Sequence, residues 1–281
     1  MENEAEKLLW KSGTRSWKKG RKVMSVIRSS KGQAMPDSVA KFGSEAFAKS
    51  DTTEIRWLGN AGIFINSHGT TIMIDPLIDG FDMPQLLPTP ISTNEIPELD
   101  ALLVTHIDGD HFSIETCKNL KDICKSYHST NYVAEVMNEN GIPGLGHEIN
   151  SSFSINKVRI TLTPADHAWQ NEVPEYSYRK WESKDYCGFL LDTTDGRIWL
   201  PGDSRLMEEH LNIDKAPDAI LFDFSDDSWH ITFNGAVKLA NTYPDAKLLC
   251  IHTGVQQMHL ILIRLMGIRQ SSSRISITLK E

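Results

Sequence analysis

The sequence predicts an α/β fold built in layers, with its chemistry gathered at one edge of the sheets. Three observations point there. Short apolar runs of strand type alternate with helical segments between Glu54 and Ile251. One run, Ala101-Leu102-Leu103-Val104, leads straight into Thr105-His106-Ile107-Asp108-Gly109-Asp110-His111, where four imidazole or carboxylate groups fall within six residues. The pattern of an apolar strand followed by His or Asp then recurs at His167, Asp203 and His252. A four-residue apolar run bounded by turn signals suits a buried strand and is too short for a helix. Loops leaving the C-terminal ends of strands are where ligands and catalytic groups collect in layered α/β folds.

The elements follow in order. Glu54–Leu58 and Ala61–Ile65 are strand-like and joined by Gly59-Asn60; Thr70–Asp75 follows the His68-Gly69 turn, giving an antiparallel meander. Asp75-Pro76 ends it, and a loop with Pro84, Pro88, Pro90 and Pro97 leads to the central run, a candidate wall for a site. A helix is expected from Ser113 to Ile123, a strand near Ser126-Tyr127-His128 and a helix near Tyr132 to Glu139. Val158–Leu162 alternates as a strand. Tyr186–Asp192 and Arg197–Leu200 flank a Thr194-Asp195-Gly196 turn. Asp218–Phe222 is a further strand, Phe233–Thr242 a helix, and Lys247–Ile251 the last strand before His252. No internal repeat is visible.

Composition narrows the function classes. The 281 residues allow one large or two small domains, and 40% hydrophobic content supports a sizeable core. The net charge is −8, unevenly spread: residues 1–50 carry eleven Lys and Arg against five Asp and Glu, or +6, leaving −14 for the rest. An acidic body disfavours nucleic acid as a partner. Residues 1–50, with Trp10, Trp17 and Lys18-Lys19-Gly20-Arg21-Lys22, read as a basic N-terminal extension. No run of about 18 apolar residues is present, so no membrane span is expected. The opening Met1-Glu2-Asn3-Glu4-Ala5-Glu6 is acidic and no signal-type core follows, so a cytoplasmic location is expected. Cys117, Cys124, Cys187 and Cys250 show no metal-type or redox-type spacing and read as reduced thiols.

His106, Asp108, Asp110 and His111 are ligand types for zinc, manganese or iron, and their tight spacing lets one loop aim at two adjacent ions. The same residues also suit an acidic loop capping the next helix, with Asp110 as the cap.

Five pieces of sequence then occur together: Trp57-Leu58-Gly59-Asn60-Ala61-Gly62 with Ile74-Asp75-Pro76; His106 to His111; Thr163 to His167; Gly202-Asp203-Ser204; and Ile251-His252. In these the chain resembles the metallo-β-lactamase-fold hydrolases, and within them the branch with bacterial ascorbate-6-phosphate lactonase and N-acyl-phosphatidylethanolamine phospholipase D. The resemblance covers about Glu54 to Thr253. It implies a four-layer αββα sandwich with two divalent metal ions at one edge. It places His106, Asp108 and His167 on the first ion, Asp110, His111 and His252 on the second, and Asp203 between them. Most members have His where this chain has Asp108, and a harder, anionic donor tilts preference from zinc toward manganese or iron. The implied reaction is hydrolysis by a water bridging the ions, with Asp110 as the catalytic residue that orients it as well as binding metal. Asp166, His230 and a metal-bound water are candidates for the general acid. His230, Trp169, Arg179 and Arg205 are candidate substrate contacts, the arginines for a small anionic substrate.

Lactone and phosphodiester substrates both fit. A non-catalytic metal-binding or regulatory protein on the same fold is the alternative, and an RNA-processing nuclease is disfavoured by the acidic body. A homo-oligomer is compatible with the sequence. The expected hydrolase domain is 51–254. Residues 255–281 lack the family's continuation: Met258-His259-Leu260-Ile261-Leu262-Ile263 replaces a loop resembling G-T-x-D-A-P-D-F. Codons permitted in another frame spell such a loop, so this atypical tail reads as the product of a frameshift.

Overall fold

In the computed structural model the described residues are 39–80, 88–223 and 225–252, with the backbone of 27–28, 34–35 and 275–278. The chain divides into two compact units, Met1–Asp37 and Ser38–Glu281. In the first, β1 (Ile27–Arg28) pairs antiparallel with β2 (Ala34–Met35). The rest of the expected basic extension up to residue 38 lies outside the described residues.

The second unit holds two sheets. One has the strand order β15-β3-β4-β5-β6-β7-β8, from β3 (Thr53–Gly59), β4 (Gly62–Ser67), β5 (Thr70–Ile74), β6 (Ala101–Leu103), β7 (Tyr127–Thr130), β8 (Gly144–His147) and β15 (Ile275–Thr278). The other has the order β14-β13-β12-β11-β10-β9, from β9 (Ser152–Ile155), β10 (Val158–Pro164), β11 (Cys187–Asp192), β12 (Arg197–Leu200), β13 (Ala219–Asp223) and β14 (Lys247–Ile251).

Alternation along each strand builds the layers, because successive side chains point to opposite faces. Ile63 and Ile65, Ile72 and Ile74, and Ala101 and Leu103 point between the sheets, where they meet Phe189, Leu191, Ile198, Leu200 and Leu221. The residues between them, Phe64, Met73 and Leu102, point the other way and meet α1 (Ile114–Asn119) and α2 (Asn131–Glu139) through Cys117, Val133 and Met137. On the far side Trp199, Ile220 and Phe222 pack on α3 (Phe233–Thr242) through Ala236 and Leu239. The result is the expected αββα sandwich. Strands with both faces buried read as continuous apolar runs rather than alternating ones, which is how these stretches look in the sequence. Truncating a fully buried member such as Ile65 to Ala would remove roughly 2–5 kcal/mol of stability.

The meander and the last helix appear where the sequence puts them. The first helix is shorter than 113–123: it ends at Asn119 and continues as turns. Its N-cap is Ser113, whose side chain accepts from the Thr116 N–H, so Asp110 is released from the capping role. Strands β8 and β9 were not anticipated; Gly144 and Gly146 in β8 hide its strand character. Phe42 and Phe47, within the stretch read as extension, pack on Phe64 at 5.7 and 4.6 Å between ring centres. Of the four prolines in the 76–100 loop, Pro84 lies outside the described residues, as do 255–274 and 279–281 of the tail. The backbone of β15 runs parallel to β3, with Ile275 opposite Thr53.

Topology explains why the ligand candidates converge. β5 and β6 are parallel neighbours, so their C-terminal ends share one edge. β10 and β12 both run antiparallel to β11, and β12, β13 and β14 are mutually parallel, so these four also end together.

Candidate metal centre

Six of the strands that end at this edge deliver a polar group. β5 delivers Asp75, β6 the loop with His106 to His111, β10 His167, β12 Asp203, β13 Asp223 and β14 His252. Two of these turns hold non-glycine residues with left-handed backbone, Asp75 at φ 46° and His252 at φ 52°. Such strain persists where the surroundings over-determine it, typically at functional sites. Gly202 has φ 71°, and a Cβ there would lie 2.4 Å from the Cys187 carbonyl oxygen, so only glycine lets the chain turn Asp203 inward.

The side chains form overlapping groups whose potential ligand atoms lie within 4.8 Å of one another: His106, Asp108 and His167; Asp110, His111 and His252; and His106, His111 and Asp203. Asp203 sits in the middle. Its Oδ2 is 3.1 Å from His111 Nε2, 3.2 Å from His230 Nε2 and 3.8 Å from both His167 Nε2 and His252 Nε2. Asp108 Oδ2 is 3.4 Å from His106 Nε2 and 3.5 Å from His167 Nε2. Asp110 Oδ2 is 2.9 Å from His252 Nε2. Asp110 is the most open carboxylate of the set, with 32% of its side chain exposed, so the cluster opens on its side.

Outer contacts fix the rings. Thr105 donates its backbone N–H and its hydroxyl to Asp75, at 2.8 and 2.6 Å. Asp75 Oδ2 in turn accepts from His111 Nδ1 at 2.8 Å. The Trp229 carbonyl accepts from His167 Nδ1 at 3.0 Å. The Asn60 carbonyl accepts the backbone N–H of His252 at 2.9 Å, and the Asn60 side-chain amide holds the Asp110 backbone carbonyl at 2.6 Å, tying these two segments together. With Nδ1 held in this way, the His111 and His167 rings present Nε2 to the cluster in a fixed direction.

The electrostatics are those of a cation site. Burial opposes ionisation of Asp203, yet His111 and His252 hold it well below the usual carboxylate range. Burial likewise opposes Asp108, but His106, His167 and the Trp169 N–H keep it well below that range. Asp110 is pulled down to about 2 against its own burial by His252 and His111. His111 is raised despite complete burial, by Asp203 and Asp75. The nitrogens His106 Nε2 and His111 Nε2 are buried and face Asp108 and Asp203 at 3.4 and 3.1 Å without a well-directed hydrogen bond to either. Unsatisfied buried donors or acceptors are rare and destabilising. Two orphaned nitrogens aimed at a knot of carboxylates fit a divalent metal as the missing partner.

The four expected substrate contacts lie in different places. His230 is inside the cluster, 3.2 Å from Asp203 and bonded through Nδ1 to Asp227 at 2.8 Å. Trp169 donates its indole N–H to Asp108 Oδ2 at 2.7 Å. Arg205 is half-exposed at the rim, 3.1 Å from Asp166 and 4.3 Å over the Trp229 ring. Arg179 is not brought to the cluster: it pairs with Asp185 at 2.7 Å, lies 3.6 Å over the Tyr132 ring, and lines a separate cavity of about 440 Å³.

Sequence reasoning assigned no role to Asp75, Thr105, Gln170 or Asp223. The rule that found Asp203, an aspartate closing an apolar strand, also describes Ile74-Asp75 and Phe222-Asp223. Asp223 is buried with one carboxylate oxygen unpartnered, and burial together with Asp203 pushes it well above the usual range. It borders a space of about 10 Å³ under the cluster, beside Asp75, Thr105 and His111, roughly the size of one water.

The family described as "Beta-lactamase superfamily domain" matches residues 70–253, well over half of the chain. The chain belongs to the metallo-β-lactamase-fold superfamily. A UPF0173 metal-dependent hydrolase of Nitratidesulfovibrio vulgaris (strain DP4) is 32% identical over 166 residues, covering 56% of this chain and 61% of that protein. The N-acyl-phosphatidylethanolamine-hydrolyzing phospholipase D 1 of Caenorhabditis elegans is 25% identical over 167 residues, 53% of this chain and 46% of its own. The match therefore spans about three fifths or less of these relatives' length. Among solved structures, Igni18, a metallo hydrolase of Ignicoccus hospitalis, superposes with a TM-score of 0.60 at 16% identity, over 82% of this chain and 95% of that one. The isothiocyanate hydrolase from Delia radicum gut bacteria gives a TM-score of 0.60 at 16% identity, over 80% and 95%. These two establish the fold. Among the described residues, no helix is long and apolar enough to cross a membrane.

Proposed function

We propose that the chain is a dinuclear metal-dependent hydrolase that cleaves a lactone, ester or phosphodiester bond in a small anionic substrate. The observation that carries this is the pair of two-histidine, one-carboxylate groups, His106/Asp108/His167 and Asp110/His111/His252, on either side of Asp203. When bound, two divalent ions such as zinc, manganese or iron would lower the pKa of a water and polarise the bond to be cleaved.

The chain's own groups supply the rest. Asp110, the most open carboxylate, orients the attacking water through its second oxygen. Asp203, with histidines on several sides, holds the two half-sites in register. His230 is the proton donor with the best geometry: Asp227 anchors its Nδ1, leaving Nε2 on the cluster side. The Asp166 carboxylate is paired with Arg205, and its backbone N–H donates to the Ser204 hydroxyl. The half-exposed Arg205 guanidinium over Trp229 suits an anionic group entering from that rim. The curated relative named for hydrolysing N-acyl-phosphatidylethanolamine supports a phosphodiester as the first substrate class to screen.

Metal analysis of the purified chain, followed by a lactone and phosphodiester panel with and without chelator, tests the reading. About two ions per chain and chelator-sensitive turnover that Asp110→Ala abolishes are expected. Two ions without turnover on any ester-class substrate would favour the metal-binding, non-catalytic alternative.

A further inference from the structure

The carboxylate of Asp108 is gripped on both oxygens by consecutive residues. The Trp169 indole N–H donates to Oδ2 at 2.7 Å, and the Gln170 amide donates to Oδ1 at 2.6 Å. Both follow His167, so one short segment, His167-Ala168-Trp169-Gln170, supplies a histidine of the first half-site and two clamps on its carboxylate. The direction of the Gln170 amide is fixed by Asp108: an ionised carboxylate only accepts, so the NH₂ group must face it, and Oε1 is left to accept from the Tyr186 hydroxyl. The reversed amide would set two oxygens against each other at the same short distance. Gln170 is 1% exposed and Tyr186 is buried, so neither contact competes with water. Tyr186 also packs its ring 5.7 Å from that of His106.

We propose that Trp169 and Gln170, backed by Tyr186, are positioning residues that fix Asp108 as a one-oxygen ligand of the first half-site. The inference rests on the metal reading above. With Oδ1 taken by Gln170, only Oδ2 faces His106 and His167, at 3.4 and 3.5 Å. The first half-site is thereby held to the same donor set as the second, two imidazole nitrogens and one carboxylate oxygen. No residue of the clamp touches Asp110 or His252, so the clamp governs one ion and not the other.

The test is calorimetric titration of the chelator-stripped full chain with Mn²⁺ and, separately, Zn²⁺. The variants are Asp108→Ala, Trp169→Phe and the paired Gln170→Leu/Tyr186→Phe, which removes the clamp without orphaning the tyrosine hydroxyl. The unchanged chain is expected to bind two ions and Asp108→Ala one. Each clamp variant should weaken one binding step by about 10–100-fold, the usual scale for an outer hydrogen bond to a ligand, and leave the other step in place. A merely structural role would lower both steps together. If Asp108→Ala loses one ion while both clamp variants titrate like the unchanged chain, the clamp is refuted and the metal reading stands. If the unchanged chain binds no ion, or Asp108→Ala keeps both, the metal reading fails and this inference with it. Should the paired variant not fold, Trp169→Phe still decides the question, since the indole is only half-buried and Phe keeps the ring beside Tyr176.

Discussion

Among the described residues two histidine clusters stand out, and they have opposite chemistry. At the sheet edge, His106, His111, His167, His230 and His252 surround Asp203, with Asp75, Asp108, Asp110 and Asp227 behind or between them. Under the other part of the sandwich, His128 Nδ1 lies 2.9 Å from His147 Nε2, and Phe153 stacks on both rings at 4.2 Å. Neither His128 nor His147 has a carboxylate partner among the described residues. Burial raises the cost of charge in both places. At the edge the carboxylates overcome it, and His230 is lifted to about 9 by Asp203, Asp223 and Asp227. In the second cluster nothing overcomes it: His128 is driven down to about 4 by burial and by His147, and His147 is lowered by burial. The neighbours, rather than the imidazoles, make one cluster a cation site and the other part of the core.

The two clusters differ most at Asp203, which the second cluster has no counterpart for among the described residues. Asp203→Ala removes the carboxylate that four histidine rings share, so metal-dependent turnover is expected to fall by at least about 10³-fold, the scale for deleting a preorganised charge from an active site. Mass spectrometry of the purified variant should find fewer ions per chain. Full metal content with full turnover would mean that Asp203 does not link the half-sites. A smaller effect is expected one contact outward. Asp75→Asn keeps the shape but weakens the acceptor for His111 Nδ1–H, and metal affinity should drop about 10–100-fold while the fold is retained. Competition with a chromogenic chelator measures it; an unchanged affinity would show that Thr105 alone suffices to orient the loop.

How much of this was legible in the sequence differs between the two clusters. The strand-end rule found His106, His167, Asp203 and His252 because a short apolar run followed by His or Asp is a local signal, and the parallel strands bring such ends together. His128 and His147 also sit on or at the end of strands, yet their pairing across β7 and β8 required the glycine-interrupted strand β8 to be recognised first. The outer residues were hidden for another reason. Gln170 and Trp169 act on Asp108 from about sixty positions away in the chain, through a contact no periodicity records. Arg179 illustrates the converse: an arginine suits an anionic substrate by type, but its cation was already committed to Asp185 and to the Tyr132 and Trp181 rings.

The second cluster yields the smallest and most specific expectation, a pH effect on stability without a functional one. His128 refuses in the native state a proton that it accepts, near pH 6.5, once unfolded. The unfolded chain therefore binds more protons between about pH 6.5 and about 4, and the native state loses stability as pH falls through that window. With a native value of about 4, this one group should remove roughly 2–3 kcal/mol by pH 4.5. His128→Phe keeps a flat ring against Phe153 but cannot take up a proton. Denaturant unfolding at pH 7 and pH 4.5, on chelator-stripped protein, should show the variant losing less stability than the unchanged chain by about that amount. His147→Phe should act in the same direction and more weakly, because that ring is only half-buried. Metal stoichiometry should stay the same in both variants. An equal stability difference at the two pH values would show that His128 takes up its proton as readily in the native state as in the unfolded one, and the contrast between the two clusters would fail on the His128 side.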